Sequence, residues 1–225
     1  MKLGFLALPA EERRLYIEQA AIRRNLSPVI MEKDFWVCWL LGILFESEFA
    51  GSLVFKGGTS LSKVFGIIER FSEDIDLSLS PEFLKLPDAG TSRNQAKKWM
   101  KNAEAMCGSA VQNQINPAME AVAAGVLGKS ERSWFEFITD PGTNSPVLLF
   151  HYPSSQPSGF DYLKRSVKLE FGSLTDQQPA IWPGCFSRID TNPYFSCVSA
   201  VQKLRTKRLN LDRFCPRPAT IGKRT

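Results

Sequence analysis

The sequence predicts an α/β (α+β) domain, a mixed β-sheet flanked by helices, with helical segments in its N-terminal part and its middle. Three observations carry this. "EDIDLSLS" and "RSVKLEFG" alternate apolar and polar residues with period two, as half-buried strands do. "SPVIMEKDFWVCWLLGILFES" is apolar all round in its second half, as a buried helix is. Residues 93 to 128, rich in Ala, Lys, Met and Gln, read as helix and separate the early strands from the later ones.

The elements follow in order. "AEERRLYIEQAAIRRN" is charged and helix-prone, with Leu15, Ala20 and Ile22 expected on a thin apolar side. The buried helix comes next, with Ser27 as N-cap and Pro28 at the first helical position, where a missing N–H does no harm. "GSLVFKGG" is a short apolar strand closed by glycines, and "TSLSKVFGII" a helix starting at Thr59 or Ser60. After "EDIDLSLS", the long helical stretch is expected to break at Asn116-Pro117. "SWFEFITD", "PVLLFHYP" and "RSVKLEFG" supply three more strands, the first two joined by the turn "DPGTNSP". One domain is expected over residues 1 to 202, its helical N-terminal part at about 10 to 49, followed by a basic, irregular tail over 203 to 225.

The chain has 225 residues, 44% of them apolar and 23% charged, enough for one sizeable core. The formal charge is +5, but residues 203 to 225 hold eight Lys/Arg against Asp212 alone. Without them, 20 basic residues face 22 acidic ones, so net charge says little about a nucleic-acid partner. Five cysteines with no Cys-x-x-Cys pair argue against a zinc ribbon or a disulfide framework. The apolar run near the N-terminus is too short for a signal peptide, and "FWVCWLLGILF" is too short for the roughly 20 residues of a membrane span. A reducing cytoplasm is the expected location. His151 is the only histidine, which excludes two-histidine mechanisms and His-Glu-x-x-His zinc sites. Hard chemistry must then run mainly on carboxylates, lysines or hydroxyls.

The strand period puts Asp74, Asp76, Ser78 and Ser80 on one face, and Ile75, Leu77 and Leu79 on the other. Positions two apart on a strand lie about 7 Å apart at the α-carbon. Two carboxylates so spaced can converge on one hard cation; without it they repel, and one pKa rises. Magnesium takes one or two carboxylates together with substrate phosphates. An isolated Asp-x-Asp is more often a solvated strand face, so the upstream context decides. "FKGGT" ends a strand and opens a helix, where free N–H groups suit a triphosphate, and Gly57 and Gly58 let phosphate oxygens approach the backbone. "KGGTSLSK" lacks the Gly-Lys-Ser/Thr ending and spacing of a P-loop. On "SVKLEFGSL", Glu170 and Lys168 share the wet face: a third acid for a two-metal site, and a lysine to neutralise phosphate charge.

Together these pieces resemble the nucleotidyltransferase superfamily, with its Gly-rich turn at a helix start, acid-x-acid strand and third acid on a neighbouring strand. More narrowly, "VIMEKDFWVCWLL", "LVFKGGTSLSKVFGIIERFSEDIDLSLS" and "YLKRSVKLEFGSL" are similar to the bacterial AbiEii/AbiGii toxin family, abortive-infection nucleotidyltransferases encoded beside a winged-helix antitoxin. The resemblance covers about residues 28 to 175 and fades after about 185. It implies a nucleotidyltransferase fold and transfer of a nucleoside monophosphate from an NTP to an acceptor, an RNA such as the 3′ end of tRNA. It implies magnesium or manganese held by Asp74, Asp76 and Glu170, which also form the catalytic set. By position, Gly57, Gly58 and Thr59 match the phosphate-binding turn and Ser72 a hydroxyl able to reach a phosphate; Lys56, Lys63, Arg70 and Lys168 are candidate phosphate contacts. Glu32, Lys33 and Asp34 match the family too, but charges at a helix start usually cap it or pair locally, and Phe35, Trp36 and Trp39 read as core. Relatives continue into a helical C-terminal region, whereas here "LNLDRFCPRPATIGKRT" has no amphipathic period. A truncated or altered C-terminal region is the resulting expectation. Competing readings are transfer to a protein hydroxyl or a small molecule, and a catalytically silent nucleotide-binding relative.

Overall fold

A computed structural model describes residues 4–63, 74–88, 92–157 and 164–173. Within them, α1 (Ala10–Arg24) and α2 (Pro28–Phe45) precede a strand-helix-strand unit of β1 (Leu53–Lys56), α3 (Gly57–Lys63) and β2 (Asp74–Leu79). Helices α4 (Arg93–Ala110) and α5 (Asn116–Leu127) then lead to β3 (Phe135–Thr139), β4 (Pro146–His151) and β5 (Ser166–Gly172). The five strands form one mixed sheet in the order β1-β2-β5-β4-β3. β2 and β5 run parallel, and every other neighbouring pair is antiparallel. This is an α+β fold of the predicted kind. The expected division at residues 202 and 203 and the basic tail lie outside the described residues.

Helix α2 begins as the sequence dictates: Ile30 N–H donates to Ser27 Oγ at 3.3 Å, with Pro28 in the first turn. Its apolar body is buried nearly all round because the sheet lies against it. Trp36 and Trp39 meet Phe150 of β4 at ring-centroid distances of 5.7 and 5.4 Å, and Tyr152 stacks on Trp36. Phe35, Trp36 and Trp39 are at most 1% exposed, so they are core side chains. The sheet's matching face is Ile75, Leu77, Leu79, Val167, Leu169 and Phe171, all buried. The alternation along β2 and β5 therefore leaves their polar residues on the opposite face.

Three local expectations differ from what forms. On α1 the buried residues are Ile17 and Ala21, while Leu15 is 56% and Ile22 73% exposed. Ile17 and Ala21 sit one turn apart and share a face, whereas the other two lie off that face. The break at Asn116-Pro117 does not occur. The chain stays helical through a π turn at Val111–Ile115, and this wider turn accommodates a proline with no N–H to donate. Helix α3 begins at Gly57, two residues before Thr59.

Glu32 and Lys33 are buried, and they pair far from their own helix. The Glu32 carboxylate accepts from Ser154 Oγ at 2.5 Å, Ser155 N at 2.7 Å and Ser155 Oγ at 2.6 Å. Lys33 Nζ donates to the Lys164 carbonyl at 3.3 Å. The two charges thereby tie α2 to both ends of the β4–β5 connection. Among the described residues no helix is long and apolar enough to cross a membrane.

Candidate active site

The polar face of the sheet gathers its charges by register. Lys56 at the end of β1 pairs with Asp76 on β2, which pairs with Glu170 on β5. One step along, Asp74 pairs with Lys168. Neighbouring strands are about 4.8 Å apart, so five ionisable side chains share a small area. Burial deepens along β2, from exposed Asp74 through half-buried Asp76 to fully buried Ser78.

Helix α3 is joined to this face at its first residues. Gly57 has φ +75°, and a β-carbon there would collide with Asp76 Oδ2. Only glycine combines that backbone with that proximity. Thr59 is fully buried, and its hydroxyl donates to the Asp74 carbonyl. Any phosphate contact from Thr59 must therefore come from its backbone. Ser60 Oγ donates to the Gly57 carbonyl at 2.8 Å, which tightens the same turn.

Lys168 lies between two acids. Its ammonium donates to Glu170 Oε2 at 2.7 Å and to Asp140 Oδ2 at 3.0 Å. Asp140 directly follows β3 and organises the β3–β4 turn: its Oδ1 accepts from Gly142 N at 2.9 Å and Thr143 N at 3.2 Å. These bonds hold the Asp140 carboxyl down to about 2, the lysine contributing most. The same pairing, with Glu170 foremost, raises Lys168 above its ordinary value, so it stays an ammonium. Asp76 moves the other way. Burial first, then the like charges of Glu170 and Asp74, push its carboxyl up, against the pull of Lys56 and Lys168.

A half-open cleft of about 220 Å³ opens beside Lys56, lined also by Cys107, Thr143, Asn144, Phe171 and Gly172. Burial holds the Cys107 thiol up at about 12, so it is an inert wall and not a nucleophile.

The structure thus brings Lys56, Gly57, Gly58, Thr59, Asp74, Asp76, Lys168 and Glu170 to one edge of one sheet face. Lys63 is the last residue of α3, and Arg70 and Ser72 lie outside the described residues. Among the described residues no three His, Cys, Asp or Glu side chains converge closely enough to hold a metal ion. Glu170, the expected third ligand, has one oxygen on Lys168 instead. Asp74 and Asp76 nonetheless fit a hard divalent cation. Asp74, Asp76, Glu170 and Asp140 counted as ionised outnumber Lys56 and Lys168 by two charges, and the upward shift of Asp76 is the strain a cation relieves.

Sequence reasoning missed Asp140. "DPGTNSP" reads as a turn and is one, but nothing local says that its first residue reaches a lysine on another strand.

Compared with known protein families, the chain matches the family described as nucleotidyl transferase AbiEii toxin, type IV TA system, over residues 39–201. The match begins after Glu32–Asp34 and runs past residue 185, where the resemblance read from the sequence fades. No curated protein and no solved structure matches.

Proposed function

Because this chain belongs to the AbiEii nucleotidyl transferase toxin family of type IV toxin–antitoxin systems, we propose that the acceptor of its nucleotidyl transfer is RNA, the 3′ end of a tRNA. The observation that carries the site assignment is the shared face of Asp74, Asp76 and Glu170 beside the Gly57 turn. In the reaction, the acceptor hydroxyl oxygen attacks the α-phosphorus of an NTP. The new O–P bond forms as the bond from that phosphorus to the β-phosphate oxygen breaks, and pyrophosphate leaves.

This chain's residues divide the work. Gly57, Gly58 and the backbone of Thr59 allow the phosphates to approach closely, and Lys56 and Lys168 supply positive charge. Lys168 does so as a fixed cation, since its two carboxylate bonds keep it protonated. Glu170, whose Oε2 rests on Lys168, either receives the proton of the attacking hydroxyl or holds the second ion. The cleft beside Lys56 and Gly172 receives the nucleoside. Asp74 and Asp76, with Glu170 once it leaves Lys168, would hold magnesium or manganese. Such an ion, when bound, neutralises triphosphate charge. The matching antitoxin is a winged-helix protein encoded alongside, and the site of action is the cytoplasm.

The test is incubation of the protein with labelled NTPs, magnesium, total RNA and total protein. Label in tRNA is the expected result, abolished in Asp74→Asn. Label only in protein or a small molecule moves the acceptor. NTP binding with no transfer leaves a catalytically silent relative.

A further inference from the structure

We infer that Asp140 is a positioning residue of this site: it offers Lys168 a second anchor, so that Glu170 can exchange the lysine for a divalent cation. The inference rests on the cation reading above and adds a residue outside the predicted set.

The geometry supplies the argument. Lys168 is the internal counter-ion of Glu170, at 2.7 Å. A cation that takes both oxygens of Glu170 must displace this ammonium from Oε2. Moving a charged amine into partly covered protein with no acceptor is unfavourable. Asp140 removes that barrier by already holding the same ammonium at 3.0 Å. Its own place is fixed, because the other carboxylate oxygen is tied to two backbone N–H groups of the turn. Lys168 and Asp140 side chains are 28% and 26% exposed, so water does not fully replace either partner. An Asp140 that served only to shape the turn would need one oxygen, and any acceptor would do. The second oxygen, aimed at Lys168, is the part a turn does not require.

Asn separates the two jobs. In Asp140→Asn the amide oxygen still accepts the turn N–H groups, while the amide nitrogen cannot accept from Lys168. Lys168 then has Glu170 alone. Wild type, D140N, K168M and the double variant are titrated with Mn2+ and free ion is read by electron paramagnetic resonance, without nucleotide. D140N is expected to bind Mn2+ about ten- to a hundredfold more weakly, the range typical of outer-sphere partners of a metal site. In the K168M background the same substitution is expected to have little effect, because Asp140 acts through the lysine.

Equal loss in both backgrounds would show a simple through-space charge effect and overturn the inference, as would no loss in D140N. Failure of all four proteins to bind Mn2+ would instead overturn the cation reading, and this inference with it. Should D140N not fold, Asp140→Ser keeps a single acceptor for the turn and takes its place in the cycle.

Discussion

Gly57 and Asp76 compete for one volume: a β-carbon on the glycine would overlap the aspartate carboxylate. The first residue of α3 and the central acid of the face are thus in contact, and the turn is shaped as much by the acid as by any ligand. Gly57→Ala must displace Asp76 and also hold a side chain at φ +75°. It is expected to destabilise the protein by about 1–3 kcal/mol, with a much larger loss of nucleotidyl transfer. Urea denaturation and a single-turnover assay measure the two. Transfer at the wild-type rate would remove Asp76 from the site.

Asp76 sets a pH dependence. Its folded-state carboxyl is raised, so the folded protein binds that proton more tightly than the unfolded chain. Its favourable contribution is complete below the unfolded value and is lost as pH rises through the folded one. At neutral pH, Asp76→Asn is therefore expected to raise the thermal midpoint while abolishing transfer. The difference in midpoint between variant and wild type should shrink as pH falls through the carboxylate range. Asp140 has the opposite sign: held down to about 2, it gives stability present above the ordinary Asp value and lost as pH falls toward 2. A midpoint for Asp76→Asn below wild type at pH 7 would contradict the first expectation.

Thr59→Val keeps the shape of a fully buried side chain and deletes its donor to the Asp74 carbonyl. A carbonyl left without that partner costs roughly 1–3 kcal/mol. Because the bond joins α3 to the start of β2, the turnover number is expected to fall while NTP binding, measured by calorimetry, changes little. Loss of binding with intact turnover would point to a direct ligand contact instead.

Glu32→Ala tests the clamp on the β4–β5 connection. Three hydrogen bonds end on this buried carboxylate, and hydrogen bonds to charged groups contribute about 1.5–3 kcal/mol each, without simple additivity. A loss of about 2–4 kcal/mol is expected in chemical denaturation at unchanged m-value. A loss under 0.5 kcal/mol would mean that the serines find equivalent partners.

What was legible in the sequence follows from period and local chemistry. Alternation along "DIDLSLS" and "SVKLEFG" is enough to sort acids from apolar residues, because a strand has only two faces. The all-round apolar α2 could only be central. Register is different: that Asp76 stands opposite Glu170 depends on two segments meeting through space, which no period encodes. The same holds for Lys168 and Asp140, and for Glu32 with Ser154 and Ser155, each pair joined across loops. On α1, Leu15 and Ile22 mislead because exposed apolar side chains are common, and hydrophobicity alone does not name the buried stripe.

The parallel pairing of β2 with β5 has a consequence for the cell that makes this protein. Asp76 and Glu170 are 94 positions apart, so their meeting closes a long loop, a slow event among non-local contacts. During synthesis, a nascent chain that already carries Asp74 and Asp76 still lacks Lys168 and Glu170 until the ribosome has passed β5. On the proposed site, nucleotide transfer waits for β5, an interval of translation in which the host can have its antidote ready.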